Sequence, residues 1–224
     1  MQKNINPYNL KTFKAYFEQT ELCHRLTQDF DKLYYSLADR YNCSPREHVG
    51  TRQFFAVPFY YLKYLTDRNP KIIYDIGCGW NIFKKYIPNI IGIDHNISSV
   101  AYHADLYGHV DDEYIQQHQN FFESAFAICS LHFHPLSDLR KVVLDFISML
   151  SPGGCGFLAL NLQRMIDRDP RFDNDSLPNF DFETEIRTQL ENIPATYLVF
   201  DVNLSNGYDD SMDGNIRLVC HKTI

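Results

Sequence analysis

The chain has 224 residues, of which 45% are hydrophobic and 22% charged, and its formal net charge at pH 7 is −7. This size predicts one well-filled hydrophobic core with an accessory segment. The acidic balance argues against a protein that wraps a long nucleic-acid backbone, because phosphate binding depends on clustered Lys and Arg. The sequence has no run of 18 apolar residues and a polar start, so we expect a cytoplasmic protein without a membrane span.

Residues 1–70 show the spacing of amphipathic helices, as in Leu10, Phe13 and Phe17. They also hold 14 of the 32 Phe and Tyr residues, and ten Lys and Arg against seven Asp and Glu. We therefore predict an N-terminal helical segment, residues 1–70, before a main domain, residues 71–224. The aromatics either form a fixed layer on that domain or belong to a lid that closes over a ligand. The mildly basic charge leaves a small anionic ligand, or a nucleic-acid end, open as partner.

A strand followed by a glycine turn begins the main domain. The apolar run 71–76 is typical of a buried parallel strand, and Gly77 and Gly79 let the backbone turn sharply and approach a ligand. A second strand, residues 90–93, ends in Asp94, about 20 residues beyond the turn, where a carboxylate can accept hydrogen bonds from ribose. The simpler alternative is a glycine turn that only reverses the chain. The pattern favours a nucleoside site.

The residues around this turn restrict which class of nucleoside cofactor the site can bind. Ile82 stands where a dinucleotide fingerprint needs Gly or Ala, and no Gly-Lys-Ser/Thr follows Gly77, as a P-loop would require. The segment Asp75-Ile-Gly-Cys-Gly-Trp-Asn81 resembles the first motif of class I S-adenosylmethionine (SAM) methyltransferases, Asp/Glu-x-Gly-x-Gly-x-Gly. Asn81 replaces the third glycine, and Asn is the residue that best tolerates a left-handed backbone in its place. A short helix, residues 81–86, should follow.

A second segment strengthens this resemblance. Residues 126–132 read as a strand, 136–150 as a helix, and Leu150-Ser-Pro-Gly-Gly154 resembles the family signature that precedes a fifth strand, residues 156–161. The resemblance covers about residues 71–222. It implies an α/β fold with a doubly wound, mostly parallel sheet and an antiparallel hairpin of the last two strands. The elements expected to complete it are helices 111–122 and 182–193, strands 196–200 and 216–220, and a loop 164–179 that borders the acceptor site.

The resemblance also implies SAM as the cofactor. The ribose should bind Asp94, the methionine moiety should face the glycine turn, and Ser130 and Leu131 should line the cleft under the transferred methyl group. Asp105 either ends a third strand, residues 100–104, and binds adenine, or is a loop carboxylate that caps the next helix. Arg52 is the cation expected to hold the methionine carboxylate. The full set of predicted cofactor-binding residues is Asp75, Gly77, Cys78, Gly79, Asp94, Asp105, Ser130, Leu131 and Arg52.

Two histidines are candidates for catalysis. His132 and His134 alternate at the end of the predicted fourth strand, and an imidazole with a pKa of about 6.5 can take a proton at neutral pH. The alternative is that one packs on the following helix and the other is solvated. The six cysteines contain no Cys-x-x-Cys pair, so we expect reduced thiols, with Cys78, Cys129 and Cys220 in or beside strands, and no metal site.

The predicted function is SAM-dependent methyl transfer to a small-molecule acceptor. One alternative is a non-catalytic SAM-binding or interaction module with the same fold. Three departures from the family pattern favour it: Asn81 in place of the third glycine, the short helix 81–86, and the short connection between Asp94 and Asp105. Another is a protein or RNA methyltransferase. The sequence makes no prediction of oligomeric state.

Overall fold

The computed structural model describes residues 65–66, 68–79, 81–85, 87–95, 104–128, 130–131, 133–172, 180–193, 196–202 and 214–223. They belong to one compact unit, residues 64–204 with 213–224. The predicted helical segment 1–70 lies almost wholly outside the described residues, as do Arg52, Cys129 and His132, so those interpretations stay predictions.

A seven-stranded sheet with the order β3-β2-β1-β4-β5-β7-β6 forms the centre of this unit. Strands β1 to β5 are parallel, while β7 runs antiparallel to both of its neighbours, β5 and β6. This confirms the predicted α/β sheet with its antiparallel last hairpin. The strands are β1 Ile73–Ile76, β2 Ile90–Asp94, β3 Leu106–Tyr107, β4 Phe122–Ile128, β5 Leu150–Asn161, β6 Thr196–Val202 and β7 Gly214–His221.

Four α-helices and two 3₁₀ turns connect the described strands. The α-helices are α1 Asp112–Gln117, α2 Leu139–Met149, α3 Leu162–Ile166 and α4 Phe182–Gln189, and the 3₁₀ turns are Ile82–Lys85 and Leu136–Asp138. The first 3₁₀ turn confirms that a stubby helix follows the glycine turn. Two predicted helices are shorter than expected, since α1 ends with the C-cap His118 and α4 with the C-cap Leu190. Asn120 and Asn192, in the turns that follow, have left-handed backbone.

The fourth strand was predicted too late in the chain. It starts at Phe122, which is fully buried, and ends at Ile128, so Ser130 and Leu131 lie in the turn after it. The predicted helix 111–122 is therefore wrong at its end. Alternating and helical spacing look alike over a few residues, and burial of Phe122 decides between them.

The helix before β5 ends at Met149, before Pro152 is reached. Leu150 already pairs with Phe122, and the ladder then shifts register, so the residues up to Gly154 form an irregular start of β5. Gly153, at φ 77°, donates its N–H to the Lys222 carbonyl at 2.9 Å. The signature thus forms the irregular start of β5, which the residue after β7 also holds.

Helix α2 supplies much of the core. Val142, Val143, Phe146 and Ile147 recur at helical spacing and are buried against residues of β4, β5 and β7. Full burial of each such side chain stabilises the fold by about 1.5–3 kcal/mol. A Cβ on Gly156 would lie 2.7 Å from the Phe146 ring, so the helix packs this closely only over a glycine.

The strand order creates a switch point between β1 and β4. From β1 the chain runs outward to β3, then returns to the other side of β1 to form β4. Ligands of open α/β sheets bind in the crevice beyond the carboxyl ends of two such strands. Here those ends carry the glycine turn and Ser130.

Within the described residues, no helix combines the length and apolar character needed to cross a membrane.

Candidate functional site

The turn after β1 has an unusual backbone at every second residue. Gly77, Gly79 and Asn81 have φ angles of 73°, 50° and 51°. Left-handed backbone costs most L-residues about 1–2 kcal/mol, but Gly adopts it freely and Asn with less strain than others. The prediction that Asn81 can replace a third glycine is confirmed, and the turn keeps the backbone course that the motif needs.

Ser130 holds the first glycine from the β4 side. Its Oγ donates a hydrogen bond of 2.6 Å to the carbonyl of Ile76, the last residue of β1. A Cβ on Gly77 would lie only 2.2 Å from the Ser130 Cβ. The two carboxyl ends at the switch point are therefore in direct contact, and Leu131 beside them is half-buried against the core.

Asp94 holds the second glycine from the β2 side. Its Oδ2 accepts a hydrogen bond of 3.0 Å from the Gly79 N–H, and its side chain is only 6% exposed. The carbonyl of Ile93 accepts two more N–H groups of the turn, from Gly77 at 2.8 Å and Cys78 at 3.0 Å. A carboxylate offers about four acceptor positions, so it can accept several hydrogen bonds at once. His95 Nδ1 lies 3.4 Å from its Oδ1.

Asp75 is a buried carboxyl under the turn. It is 3% exposed, and no described residue hydrogen-bonds to its side chain. Burial, and then the nearby charge of Asp94, raises the pKa of Asp75 well above its usual range. Such a group is costly to bury unpaired, which makes it a candidate for contact with a positively charged ligand group.

Cys78 lies among these acids and is not a nucleophile. Burial and then the charges of Asp75, Asp94 and Asp105 raise the pKa of its thiol far above the ordinary value. The protonated thiol fills space beside Gly92, where a Cβ would lie 2.7 Å from Sγ. Cys78 thus packs the turn against β2, in agreement with its prediction as a reduced, buried thiol.

Asp105 differs from the predicted third strand. It precedes β3 instead of ending it, and its N–H pairs with the Gly92 carbonyl in the middle of β2. Its carboxylate accepts bonds from the N–H of Gly92 at 2.8 Å, from Asn81 Nδ2 at 3.0 Å and from Lys84. Burial alone would raise the pKa of Asp105, but these bonds outweigh it and lower the pKa. In the structure, Asp105 braces the turn and does not cap the next helix, whose N-cap is Asp111.

The edge beyond β4 and β5 holds His134 and a group that the sequence did not indicate. His134 is exposed, and Phe133 beside it is 59% exposed with the Arg168 guanidinium over its ring, 5.3 Å from the centroid. The predicted loop 164–179 begins instead with helix α3, and residues 173–179 lie outside the described ones. Asp169, buried after α3, was missed because a single acid in a polar stretch carries no periodic signal.

Asp169 connects the segments that follow β4 and β5. Its Oδ2 accepts the N–H of Ser137 at 2.7 Å, and Arg171 donates to both of its oxygens at 2.8–3.2 Å. Burial by itself would raise the pKa of Asp169, but the bonds from Arg171 and Ser137 outweigh it and lower the pKa. The carboxylate is therefore charged at neutral pH and fixes one segment to the other.

The residues present fit a SAM-like ligand. The turn can approach a ligand closely, Asp94 offers a carboxylate at the tip of β2, and the Asp75 carboxyl, which no described residue pairs, can meet a cation. Among the described residues, no three His, Cys, Asp or Glu side chains are grouped to hold a metal ion.

No family model and no curated protein matches this chain. Solved structures of similar fold include a SAM-dependent methyltransferase from Archaeoglobus fulgidus, with a TM-score of 0.49 and 14% identity over 84% of this chain and 99% of that one. The N-methyltransferase NodS from Bradyrhizobium japonicum has a TM-score of 0.45 and 14% identity, over 79% of this chain and all of that one.

The CurJ carbon methyltransferase has a TM-score of 0.41 and 15% identity. The match covers 69% of this chain and 50% of that one. Identities this low concern the fold alone. The strand order and the antiparallel β7 independently give the class I methyltransferase fold that the two motifs imply.

Proposed function

We propose that this chain binds SAM and catalyses methyl transfer to a small-molecule acceptor. The observation that carries the proposal is the turn Gly77–Asn81 at the switch point, which Ser130 holds from β4 and Asp94 from β2. A turn that only reversed the chain would not need a close backbone approach, a buried acid at the next strand tip and an unpaired carboxyl below.

The proposed roles follow the position of each group. The turn and Asp75 receive the methionine moiety, with the Asp75 carboxyl near its ammonium group. Asp94 accepts hydrogen bonds from the ribose hydroxyls, as a carboxylate in this position can. Arg52 stays the proposed partner of the methionine carboxylate. Asp105 supports the site through Asn81 and Lys84, and binding of adenine stays one of its proposed roles.

SAM supplies a methyl carbon on a positively charged sulfur, which leaves as a neutral thioether when an acceptor lone pair takes the methyl group. The protein then has to orient the acceptor and exclude water. His132 or His134 takes the proton of an acceptor that has one to lose. The buried free thiols Cys78, Cys155 and Cys220 agree with a cytoplasmic protein, where disulfides are rare.

Calorimetry with S-adenosylhomocysteine, the product form of the cofactor, tests the proposal directly. We expect saturable binding of S-adenosylhomocysteine and none of NADH at the same concentration. Binding of NADH without any response to S-adenosylhomocysteine would overturn the cofactor assignment. A screen of small molecules with labelled SAM then identifies acceptors through transfer of the label.

A non-catalytic SAM-binding module is the second candidate. The short 3₁₀ turn Ile82–Lys85 and Asn81 in place of a third glycine favour it, because both depart from the motif that the segment resembles. Firm binding of S-adenosylhomocysteine without transfer to any small molecule, protein or RNA in the labelled screen would decide for the module. Label on protein or RNA alone would instead identify a macromolecular methyltransferase.

A further inference from the structure

An arginine and an exposed aromatic ring form a pair beside the proposed cofactor site. Phe133 follows β4, and Arg168 follows helix α3, which continues from the carboxyl end of β5. The guanidinium carbon lies 5.3 Å from the centre of the ring, whose residue is 59% exposed. Ser130, which also follows β4, donates to the carbonyl of Ile76 at the end of β1, so the pair stands on the same edge of the sheet as the glycine turn.

Asp169, the residue after Arg168, joins the two segments that carry the pair. Asp169 is 2% exposed and binds both the Ser137 N–H and the Arg171 guanidinium. A buried, doubly bonded carboxylate beside Arg168 restricts how far the arginine can move relative to the segment after β4. The backbone segments that carry the two side chains are thus held near each other.

Arg168 has no acidic partner within the described parts of the chain. The Asp167 carboxylate accepts Gln163 Nε2 at 2.7 Å, and Asp169 is taken by Arg171 and Ser137. Three other cations, Lys84, Lys141 and Arg171, each pair with a carboxylate. In a protein of net charge −7, an exposed arginine stacked on a ring and left without an acid is suited to an external anion.

We propose that Arg168 and Phe133 bind a carboxylate group of the methyl acceptor, with an apolar or aromatic part of the acceptor against Phe133. This rests on the proposed function. A guanidinium pairs with a carboxylate through two parallel hydrogen bonds. A monoanion matches one arginine in an acidic surround, whereas a phosphate dianion would be repelled more strongly by the neighbouring aspartates. The acceptor class is therefore a small aromatic or apolar carboxylic acid.

Benzoate is a suitable probe, observed by chemical-shift changes in nitrogen-labelled full-length protein. We expect saturable shifts in the wild-type protein and an affinity for benzoate that is at least 10-fold weaker in Arg168→Gln. The affinity should also be clearly weaker in Arg168→Lys, which keeps the charge but loses the two parallel N–H donors of the guanidinium. Phe133→Leu should bind benzoate more weakly than wild type. Arg187→Gln is the matched control, because Arg187 pairs with Glu183 on helix α4, and it should bind like wild type. Benzyl alcohol and inorganic phosphate should bind far more weakly than benzoate.

Each outcome bears on one proposal. Absent benzoate binding, unchanged affinity in Arg168→Gln, or phosphate binding as tight as benzoate overturns the carboxylate site. Calorimetry with S-adenosylhomocysteine on the same variants should give affinities within about twofold of wild type. If benzoate binds through Arg168 but S-adenosylhomocysteine does not bind at all, the anion site stands and the methyltransferase proposal fails.

Discussion

Gly77 and Ser130 are in such close contact that a Cβ on the glycine would lie 2.2 Å from the serine Cβ. The Ser130 hydroxyl also donates to the carbonyl of Ile76, directly before the glycine. The carboxyl ends of β1 and β4 are thus joined where the strand order reverses. Any side chain on Gly77 has to separate them.

Gly77→Ala should destabilise the fold by about 2–5 kcal/mol, from the left-handed φ and the forced shift of β4. Urea denaturation measures the change, and binding of S-adenosylhomocysteine should be lost or much weakened. The double variant Gly77→Ala/Ser130→Gly removes the clash but keeps the backbone strain. It should recover part of the stability lost in Gly77→Ala, and a loss that simply adds the two single effects would contradict the contact.

Asp94→Ala should weaken binding of S-adenosylhomocysteine by about 10- to 150-fold, because ribose hydroxyls lose a charged acceptor. Asp94→Asn can still accept the Gly79 N–H and should therefore lose less affinity. Calorimetry measures both. Asp111→Ala, a change at the exposed N-cap of helix α1, is the control and should keep the wild-type affinity. Equal affinities for Asp94→Ala and Asp111→Ala would remove Asp94 from the site.

Asp75 should make stability fall as pH rises. Because its pKa in the folded protein is raised well above the unfolded value near 4, the folded state holds a proton that the unfolded state releases. The contribution is fully present at low pH and is lost as pH rises through the folded pKa. Asp75→Asn removes it, so its stability relative to wild type in urea should increase from pH 5 to pH 8. A difference independent of pH would show that Asp75 does not titrate in this way.

Ligand binding gives a second measurement on Asp75. A cationic ammonium beside the carboxyl should lower its pKa, so binding of S-adenosylhomocysteine should release a proton. Calorimetry in two buffers of different ionisation enthalpy detects the release, which should be absent in Asp75→Asn. Equal release from both proteins would assign the proton to another group.

Asp169→Ala should destabilise the fold by about 2–4 kcal/mol at pH 7, since it leaves Ser137 N–H and Arg171 without their buried partner. Asp167→Ala next to it should cost no more than about 0.5 kcal/mol, because Asp167 is exposed and, among the described residues, its carboxylate bonds only to an exposed glutamine. The lowered pKa of Asp169 means that its contribution is present above the unfolded value near 4 and is lost as pH falls below it. Urea denaturation at pH 7 and pH 3.5 measures both effects.

His132→Ala should reduce turnover by about 10²–10⁴-fold with little change in cofactor affinity, if His132 is the base. His134→Ala is the matched comparison two residues away. The acceptor found in the labelled screen serves as substrate, and calorimetry reports the affinity. Unchanged turnover in both variants would leave methyl transfer without a histidine base.

Some elements of the fold and of the site could be predicted from the sequence, and others could not. The left-handed turn at Gly77, Gly79 and Asn81 was predictable, because residue type alone restricts φ. The bounds of β4 and the place of Asp105 were not. Whether Phe122 belongs to a helix or a strand depends on burial in the core with α2. Asp105 finds its partners 13 to 24 residues earlier in the chain, on β2 and in the turn after β1.

The sequence by itself determined the order of elements and the turn chemistry, since both depend on local spacing and on residues that permit unusual backbone angles. Only the tertiary structure decided that Ser130 closes on Gly77, that Asp75 is buried without a partner among the described residues, and that Arg168 stacks on Phe133 beside a fixed Asp169. These relations join segments tens of residues apart. They depend on strand order and on which groups lose water, and neither can be read from a local pattern.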